Sequence, residues 1–272
     1  MLGENEINGF LEKLKAIRVT GPGTGHDRFF NLKVVNEIKQ GMTKSLLGFD
    51  ELQALPSGQI LAAIADITGC SKSAEYTEGP GYINPNATLA GLIAAAKLIA
   101  KVCAKQGNVI LATGHPGSML GFYLELAKII RELGGIVITP GRGYELSTYR
   151  CTGCGLHNTT EVLDYVGETA VISTGEIVLH THDCKPMEAI LTAARQDKQT
   201  IDLVIADHGF AGFAIKSGLS VIAIMDTNDP AIAASKLFGY QPTIIPMDDN
   251  RPNYISAQVA QMLGQISKCM NE

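Results

Sequence analysis

The sequence has no run of basic residues, and its formal net charge is −5. That balance excludes a protein built to hold a polyphosphate backbone, so nucleic acid is not an expected partner, although a small local phosphate site is compatible with it. No stretch reaches the roughly 20 continuous apolar residues that would cross a bilayer. The amino-terminal MLGENEINGF lacks the basic region and apolar core of a secretory signal, so the expected location is cytoplasmic, with no membrane partner. Cysteine is sparse. Six in 272 residues are too few for a disulfide scaffold, and in a reducing compartment they read as free thiols or a metal site.

What is present is ordinary globular composition. With 46% hydrophobic and 18% charged residues, the chain can bury a full core and long disorder is not expected. The central stretch, Asn108 to Leu133, passes from an apolar strand at Val109–Ala112 through a Gly- and His-containing turn into a helix. Met119, Phe122, Leu126, Ile129, Ile130 and Leu133 recur there on a helical period. Another strand follows at Ile136–Thr139, and strand, helix and strand in succession mark a crossover between parallel strands. Leu203–Ala206, Val221–Met225 and Thr243–Met247 continue the pattern, each with helical segments between, while Val162–Tyr165, Ala170–Ser173 and Glu176–Leu179 form a small β excursion. The expected fold is α/β, a mostly parallel three-layer Rossmann-like sheet with an N-terminal helical region. Residues 1–85 are expected to be a helical and loop region packed on the main domain, and 86–272 the α/β catalytic or ligand-binding domain.

Within the N-terminal part, Gly21 to Gly25 breaks a first helix, and His26 and Arg28 follow in a polar turn from which they could reach a shared cleft. Thr68 to Pro85 is dense in Gly, Pro and small polar residues and long for a connection. It is therefore a candidate lid, with Asp66, Lys72, Ser73, Glu75, Tyr76 and Glu78 nearby, against the plainer reading of a solvated loop.

In open parallel sheets, ligands sit beyond the carboxyl ends of the strands, where loops converge and helix starts face the cleft. Four apolar runs end in polar sets here: Thr113, His115 and Ser118; Asp207 and His208; Asp226, Asn228 and Asp229; and Asp248, Asp249 and Asn250. Gly114-His115-Pro116-Gly117-Ser118 has neither P-loop nor dinucleotide-loop spacing. Its turn freedom, hydroxyl and helix-start N–H groups nevertheless suit a phosphate, which makes Thr113, Gly114, Gly117 and Ser118 the candidate phosphate-binding residues; a structural turn is the alternative. Asp207, Asp226, Asn228, Asp229, Asp248, Asp249 and Asn250 offer hard oxygen ligands. Such ligands point first to Mg²⁺, with Zn²⁺ or Mn²⁺ as alternatives. Asp229 directly precedes Pro230, the position of a helix N-cap, so it carries less weight as a ligand than Asp207 or Asp226.

His180-Thr181-His182-Asp183-Cys184 is the second concentration of chemistry. On an extended segment both histidines face one side, so they can join Asp207 or His208 around a borderline metal or act as acid and base at neutral pH. The candidate catalytic set is His115, His180, His182, Asp207 and His208. Cys151 and Cys154 form a CxxC with His157 nearby; with Cys184 they would make a separate metal site if the fold brings them together, and otherwise they are free thiols.

Taken together, ATGHPGSML, HTHDCKPM, ADHGFAG, DTNDP and PMDDN resemble a poorly characterised bacterial family known simply as phosphatases, over about residues 86 to 265. The resemblance implies that His115, His180, His182, Asp207, His208, Asp226, Asn228, Asp229, Asp248, Asp249 and Asn250 are a shared polar core; the CxxC is outside the family's pattern. Hydrolysis of a small phosphorylated metabolite by activated water is then the leading expectation. A covalent phospho-aspartate is disfavoured, because the compact DxDx(T/V) arrangement is missing. A phosphosugar isomerase or lyase would use the same anion site without cleaving it, and a non-catalytic phosphometabolite sensor would bind without turnover. The apolar helices leave a homo-oligomer open.

Overall fold

The computed structural model describes residues 2–146 and 160–271. In chain order the first elements are α1 (Glu4–Ala16), β1 (Gly21–Pro22), α2 (Arg28–Lys39), α3 (Thr43–Leu46), a 3-10 turn at Asp50–Ala54, α4 (Ser57–Thr68) and β2 (Tyr82–Ile83). The main run follows as α5 (Pro85–Cys103), β3 (Asn108–Ala112), α6 (Pro116–Glu132), β4 (Ile136–Val137), β5 (Glu145–Leu146), β6 (Glu161–Val166), β7 (Thr169–Ser173) and β8 (Val178–Leu179). It closes with α7 (Lys185–Gln196), β9 (Leu203–Asp207), α8 (His208–Lys216), β10 (Val221–Met225), α9 (Pro230–Ala234), β11 (Thr243–Pro246) and α10 (Asn253–Asn271). Local chemistry sets several of these starts. The Asp27 carboxylate accepts from Phe30 N at 2.8 Å to open α2, and the Asn84 side chain accepts from Asn86 N at 3.0 Å to open α5 with Pro85 in its first turn.

Among the described residues the main sheet has the order β11-β10-β9-β3-β7-β6-β5, with β4 added to β3 and β8 to β7. β11, β10, β9, β3, β4 and β7 run parallel, while β6 and β8 pair antiparallel with β7 and β5 antiparallel with β6; of the expected excursion of β6, β7 and β8, β7 is thus also a parallel partner of β3, and β5 is an added strand. Period-two alternation sorts the strand residues onto two faces. Val109, Leu111, Leu203, Ile205, Ile222, Ile224 and Ile245 pack with α1, α5, α6 and α10. Ile110, Ala112, Val204, Ala206, Ala223, Met225 and Ile244 pack with α2, α4, α7, α8 and α9. The result is a three-layer α/β fold, and each fully buried Leu, Ile or Val contributes about 1.5–3 kcal/mol to holding it.

Helix α5 has the length and hydropathy of a membrane span. In the fold it is a core helix: Leu92, Ala96 and Ile99 are buried, and the Thr88 hydroxyl donates to the Pro246 carbonyl at 2.6 Å, tying α5 to β11. The N-terminal elements share both cores, Leu14 and Val19 on one face and Ile38, Leu52 and Ile60 on the other.

The candidate lid turns out differently. The buried Arg28 guanidinium donates to the carbonyls of Tyr76, Ser71 and Ser73 at 2.7, 2.9 and 2.6 Å, pinning the segment after α4 against α2. Tyr76 lines a separate cavity with Arg28, and none of Asp66, Lys72, Ser73, Glu75, Tyr76 and Glu78 reaches the cavity at the strand ends. Gly21 and Pro22 pair with Ile83 and Tyr82, so the first glycine-rich stretch is an ordered edge that delivers His26 to the main sheet.

Candidate functional site

The parallel strands β3, β9, β10 and β11 end on one side of the sheet, and their following residues meet there. β9 enters α8 without a loop: Asp207 is the last strand residue and His208 the first helical one. His208 takes φ 47°, a left-handed conformation that costs a non-glycine residue about 1–3 kcal/mol and turns its ring into the site. Two close approaches bring the histidine segment after β8 alongside. A Cβ on Gly114 would collide with the Thr181 carbonyl oxygen, and one on Gly209 with the carbonyl oxygens of His182 and Asp183. Only glycine lets the Thr181–Asp183 backbone lie between β3 and α8; Thr181 N then donates to Gly114 O at 2.8 Å.

The resulting cavity of about 350 Å³ has a polar floor of His26, His115, His180, His182, His208, Asn228, Asp229 and Asn250. Its opposite wall is Phe30 and Val34 from α2 with Leu47, ending in Glu37, Lys44 and Ser45. The rings of His115 and His180 stack at 4.5 Å, and His182 lies 4.9 Å from His180 and 4.4 Å from His208 between centroids. Ligand atoms of His115, His180 and His208 lie within 4.8 Å of one another, as do those of His182, His208 and Asp229. His115 Nδ1, His180 Nε2, His208 Nδ1, Asn228 Oδ1 and Asp249 Oδ2 are buried without a hydrogen-bond partner. Buried polar atoms are nearly always satisfied, so this concentration of orphaned donors and acceptors fits a metal cofactor.

Electrostatics agree with that fit for three of the four histidines; at His115 burial is outweighed by the neighbouring Asp249 carboxylate, which raises it above its ordinary value. Burial, then His115, takes His180 down to about 4; burial, then His180, takes His182 down to about 3. Burial and the neighbouring histidines hold His208 well below its ordinary value. All three are neutral imidazoles at neutral pH, the form that ligates a cation. A backbone hydrogen bond with Lys44 fixes one nitrogen of His182 and with it the ring's orientation.

The aspartates divide into roles that their sequence positions did not separate. Asp207 accepts from Thr113 Oγ1 at 2.6 Å, Gly114 N at 2.7 Å and Tyr123 OH at 3.0 Å, and its Oδ1 is 3.5 Å from His208 Nδ1. It sets a carboxylate charge beside that histidine without a hydrogen bond to it, and it does not line the cavity. Burial raises Asp207 to about 6 against the hydrogen bond from Thr113. Asp226 accepts from Thr227 N and holds His26 Nδ1 at 2.9 Å. Asp248 accepts from Gly25 N at 3.2 Å and Asn250 N at 3.1 Å, anchoring the same N-terminal turn. Asp249 places Oδ1 3.6 Å from His115 Nδ1 and Oδ2 3.9 Å from His208 Nδ1. Asp229 sits at the N-cap of α9 yet makes no side-chain cap bond; Asp226 N donates to its Oδ2 at 3.3 Å, and its carboxylate belongs to a ligand set. Among the described residues, the sets of ligand atoms close enough to hold one ion include Asp229 and neither Asp207 nor Asp226.

The groups expected to cradle phosphate are largely engaged within the protein. Thr113 and Gly114 donate to Asp207, the Ser118 hydroxyl donates to the Asp249 carbonyl, and Ser118 N bonds to His115 O at 3.3 Å. Pro116 has no N–H, so Gly117 N is what the helix start retains. The loop's main work is to position Asp207 and Asp249.

Cys151, Cys154 and His157 lie outside the described residues. Cys184 sits at the start of α7 beside Gly48, lining a neighbouring cavity with His182, and burial with Asp183 pushes its thiol up to about 12. A protonated thiol is a poor ligand and a poor nucleophile.

Sequence reasoning gave His26 no assigned role. It lines the cavity, its N–H donates to Thr227 Oγ1 at 3.0 Å, its ring stacks on Phe30 at 4.6 Å and Asp226 holds Nδ1. The signal available was a His directly after a glycine-rich break, with Asp226 at a strand end to receive it.

A protein-family profile described as Phosphatase matches residues 6–267. A protein named as a phosphatase in Streptomyces coelicolor (strain A3(2)) is 30% identical over 208 residues, 75% of this chain and 74% of its own length. The family match reaches back through α1, so it takes in His26 and the α2 wall along with the strand-end residues.

Proposed function

The chain belongs to this phosphatase family and is a phosphatase-type hydrolase, and from that premise we propose that the cavity hydrolyses a small phosphomonoester with a metal cofactor. The observation that carries the site is the set of orphaned imidazole and carboxylate atoms around His208, in one cavity with His26 of the His26–Asp226 pair. A volume of about 350 Å³ is that of a small-metabolite pocket. The free thiols of Cys70, Cys103, Cys184 and Cys269 support a reducing, cytoplasmic setting.

His115, His180, His182, His208 and Asp229 would hold the cation. Because most of these donors are imidazole nitrogens, the set suits Zn²⁺, or Mn²⁺ with its tolerance for mixed nitrogen and oxygen ligands, better than Mg²⁺, which prefers oxygen. A cation bound there supplies charge neutralisation for the phosphoryl oxygens and makes water acidic enough to attack near neutral pH.

The protein's own groups account for the rest. As the ester P–O bond breaks, its electron pair goes to the leaving oxygen, which takes a proton from His26 Nε2. Asp226 holds Nδ1–H and stabilises the imidazolium before transfer. Asp207 and Asp249 place negative charge beside His208 and His115. Phe30, Val34 and Leu47 exclude water from the leaving-group side.

The test is inorganic phosphate release from a panel of phosphomonoesters by protein stripped of metal and reloaded with Zn²⁺ or Mn²⁺. Metal-dependent release is the expected result. Products that retain their phosphate would favour an isomerase or lyase, and saturable binding without turnover would overturn hydrolysis.

A further inference from the structure

The ligand atoms around His208 do not form one undivided group. His115 and His180 form one set with it, His182 and Asp229 form a second, and the two sets share His208 alone. Asp249 stands beside the first set and the shared histidine: one carboxylate oxygen faces His115 Nδ1 at 3.6 Å, the other faces His208 Nδ1 at 3.9 Å and has no hydrogen-bond partner. Asn228 Oδ1 is a further buried acceptor without a partner on the Asp229 side of the chain.

This supply exceeds what one ion uses. A tetrahedral catalytic site takes three protein ligands and keeps a position open, whereas four histidines and two carboxylates are gathered here. The charge balance points the same way. Asp229 and Asp249 are buried at the cluster, while Lys44, already paired with Glu37 at 3.0 Å, is the only lysine or arginine lining the cavity among the described residues. Burying two carboxylates with no lysine or arginine in the cavity left to match them is unfavourable.

We propose that the cluster holds two metal ions side by side, one on the His115–His180 side and one on the His182–Asp229 side, with His208 and Asp249 between them. The proposal rests on the metal-assisted reading above and extends it to the class of two-metal phosphoesterases, in which paired cations act on the attacking and leaving oxygens. His208 needs support from Asp249 in this arrangement, because a neutral imidazole ligates through one nitrogen at a time.

The experiment uses the full chain, stripped with a chelator, reloaded with Mn²⁺ alone, and assayed by elemental analysis and electron paramagnetic resonance. The expected result is two Mn²⁺ per chain with a spin-coupled spectrum. Asp229→Ala and His180→Ala should each bind one Mn²⁺ and show the six-line signal of an isolated ion, with circular dichroism confirming that they fold. One ion or none in the wild-type chain would overturn the proposal, whatever the variants do; so would two ions retained in both folded variants. Phosphate release separates the two readings. Two ions with no turnover would leave the paired site standing and remove the hydrolase reading, whereas turnover with one ion would do the reverse.

Discussion

His26 Nδ1 lies 2.9 Å from Asp226 Oδ2, across 200 positions of sequence. The bond places the N-terminal turn at the carboxyl end of β10 and puts an oriented imidazole in the cavity that the histidine cluster lines. If His26 protonates the leaving oxygen, the need for it scales with that oxygen's basicity. His26→Asn should slow hydrolysis of alkyl phosphates by about a hundredfold or more while leaving 4-nitrophenyl phosphate, whose leaving group needs no proton, within about tenfold. Equal losses on both substrates in steady-state assays would reassign His26 to positioning.

The same pair predicts a pH limb. Burial pulls His26 down, but the hydrogen bond and charge of Asp226, with Asp249 and Asp248, outweigh it and raise the group above its ordinary 6.5. The acid is therefore present below the raised value and lost as pH climbs through it, so kcat/KM for an alkyl phosphate should fall on the alkaline side with an apparent pKa above 6.5. Asp226→Asn should move that limb to lower pH. A profile whose alkaline limb survives unchanged in His26→Asn would show that another group carries it.

Metal removal should affect stability as well as turnover. Without a cation the neutral imidazoles and buried carboxylates face one another uncompensated, and a ligand held at a hundred times its Kd adds about 2.7 kcal/mol to the folded state. Chelator treatment should lower Tm by several degrees, and Zn²⁺ or Mn²⁺ should restore it more effectively than Mg²⁺. Thermal melts with each ion decide this, and equal rescue by Mg²⁺ would count against an imidazole-dominated site.

Two glycine substitutions separate architecture from ornament. Gly209→Ala forces a methyl group into the His182 and Asp183 carbonyl oxygens and should destabilise by about 1–3 kcal/mol, with loss of metal binding. Gly117→Ala meets nothing within 4 Å and should leave stability within about 1 kcal/mol. Urea denaturation of both variants tests the contrast; a stable, metal-binding Gly209→Ala would remove the close-packing account of the histidine segment.

Arg28→Ala tests the pinned segment. It removes three charge-assisted bonds to the carbonyls of Tyr76, Ser71 and Ser73. The expected cost is about 3 kcal/mol, with new proteolytic cleavage after α4. Metal stoichiometry should be unchanged. Loss of metal instead would show that this segment supports the cavity after all.

The elements most legible in the sequence were those buried on both faces of the sheet. Val109–Ala112, Leu203–Ala206 and Val221–Met225 stand out because parallel central strands must be apolar throughout, and the polar residue after each is conspicuous for the same reason. The placing of His115, His180, His182 and His208 around one cavity followed from strand-end geometry plus a two-residue spacing on an extended segment. The roles of the aspartates did not. Asp207, Asp226 and Asp229 have the same side chain and similar sequence settings, and they differ by which donors the fold brings to them: Thr113, Gly114 and Tyr123 to the first, His26 and Thr227 to the second, and only the Asp226 N–H to the third.

Composition, periodicity and strand-end chemistry by themselves determined the three-layer α/β architecture and the edge of the sheet where reactive groups gather, because both follow from local patterns of burial. Tertiary structure alone decided that the Gly114–Ser118 turn braces Asp207 and Asp249, that Asp226 is the group that receives His26, and that the Asp229 carboxylate comes within reach of His182 and His208. Hydrogen-bond partners are allocated among groups far apart in the chain. A donor taken up by one carboxylate is lost to any ligand, and that competition is settled only when the strands and their loops are in place.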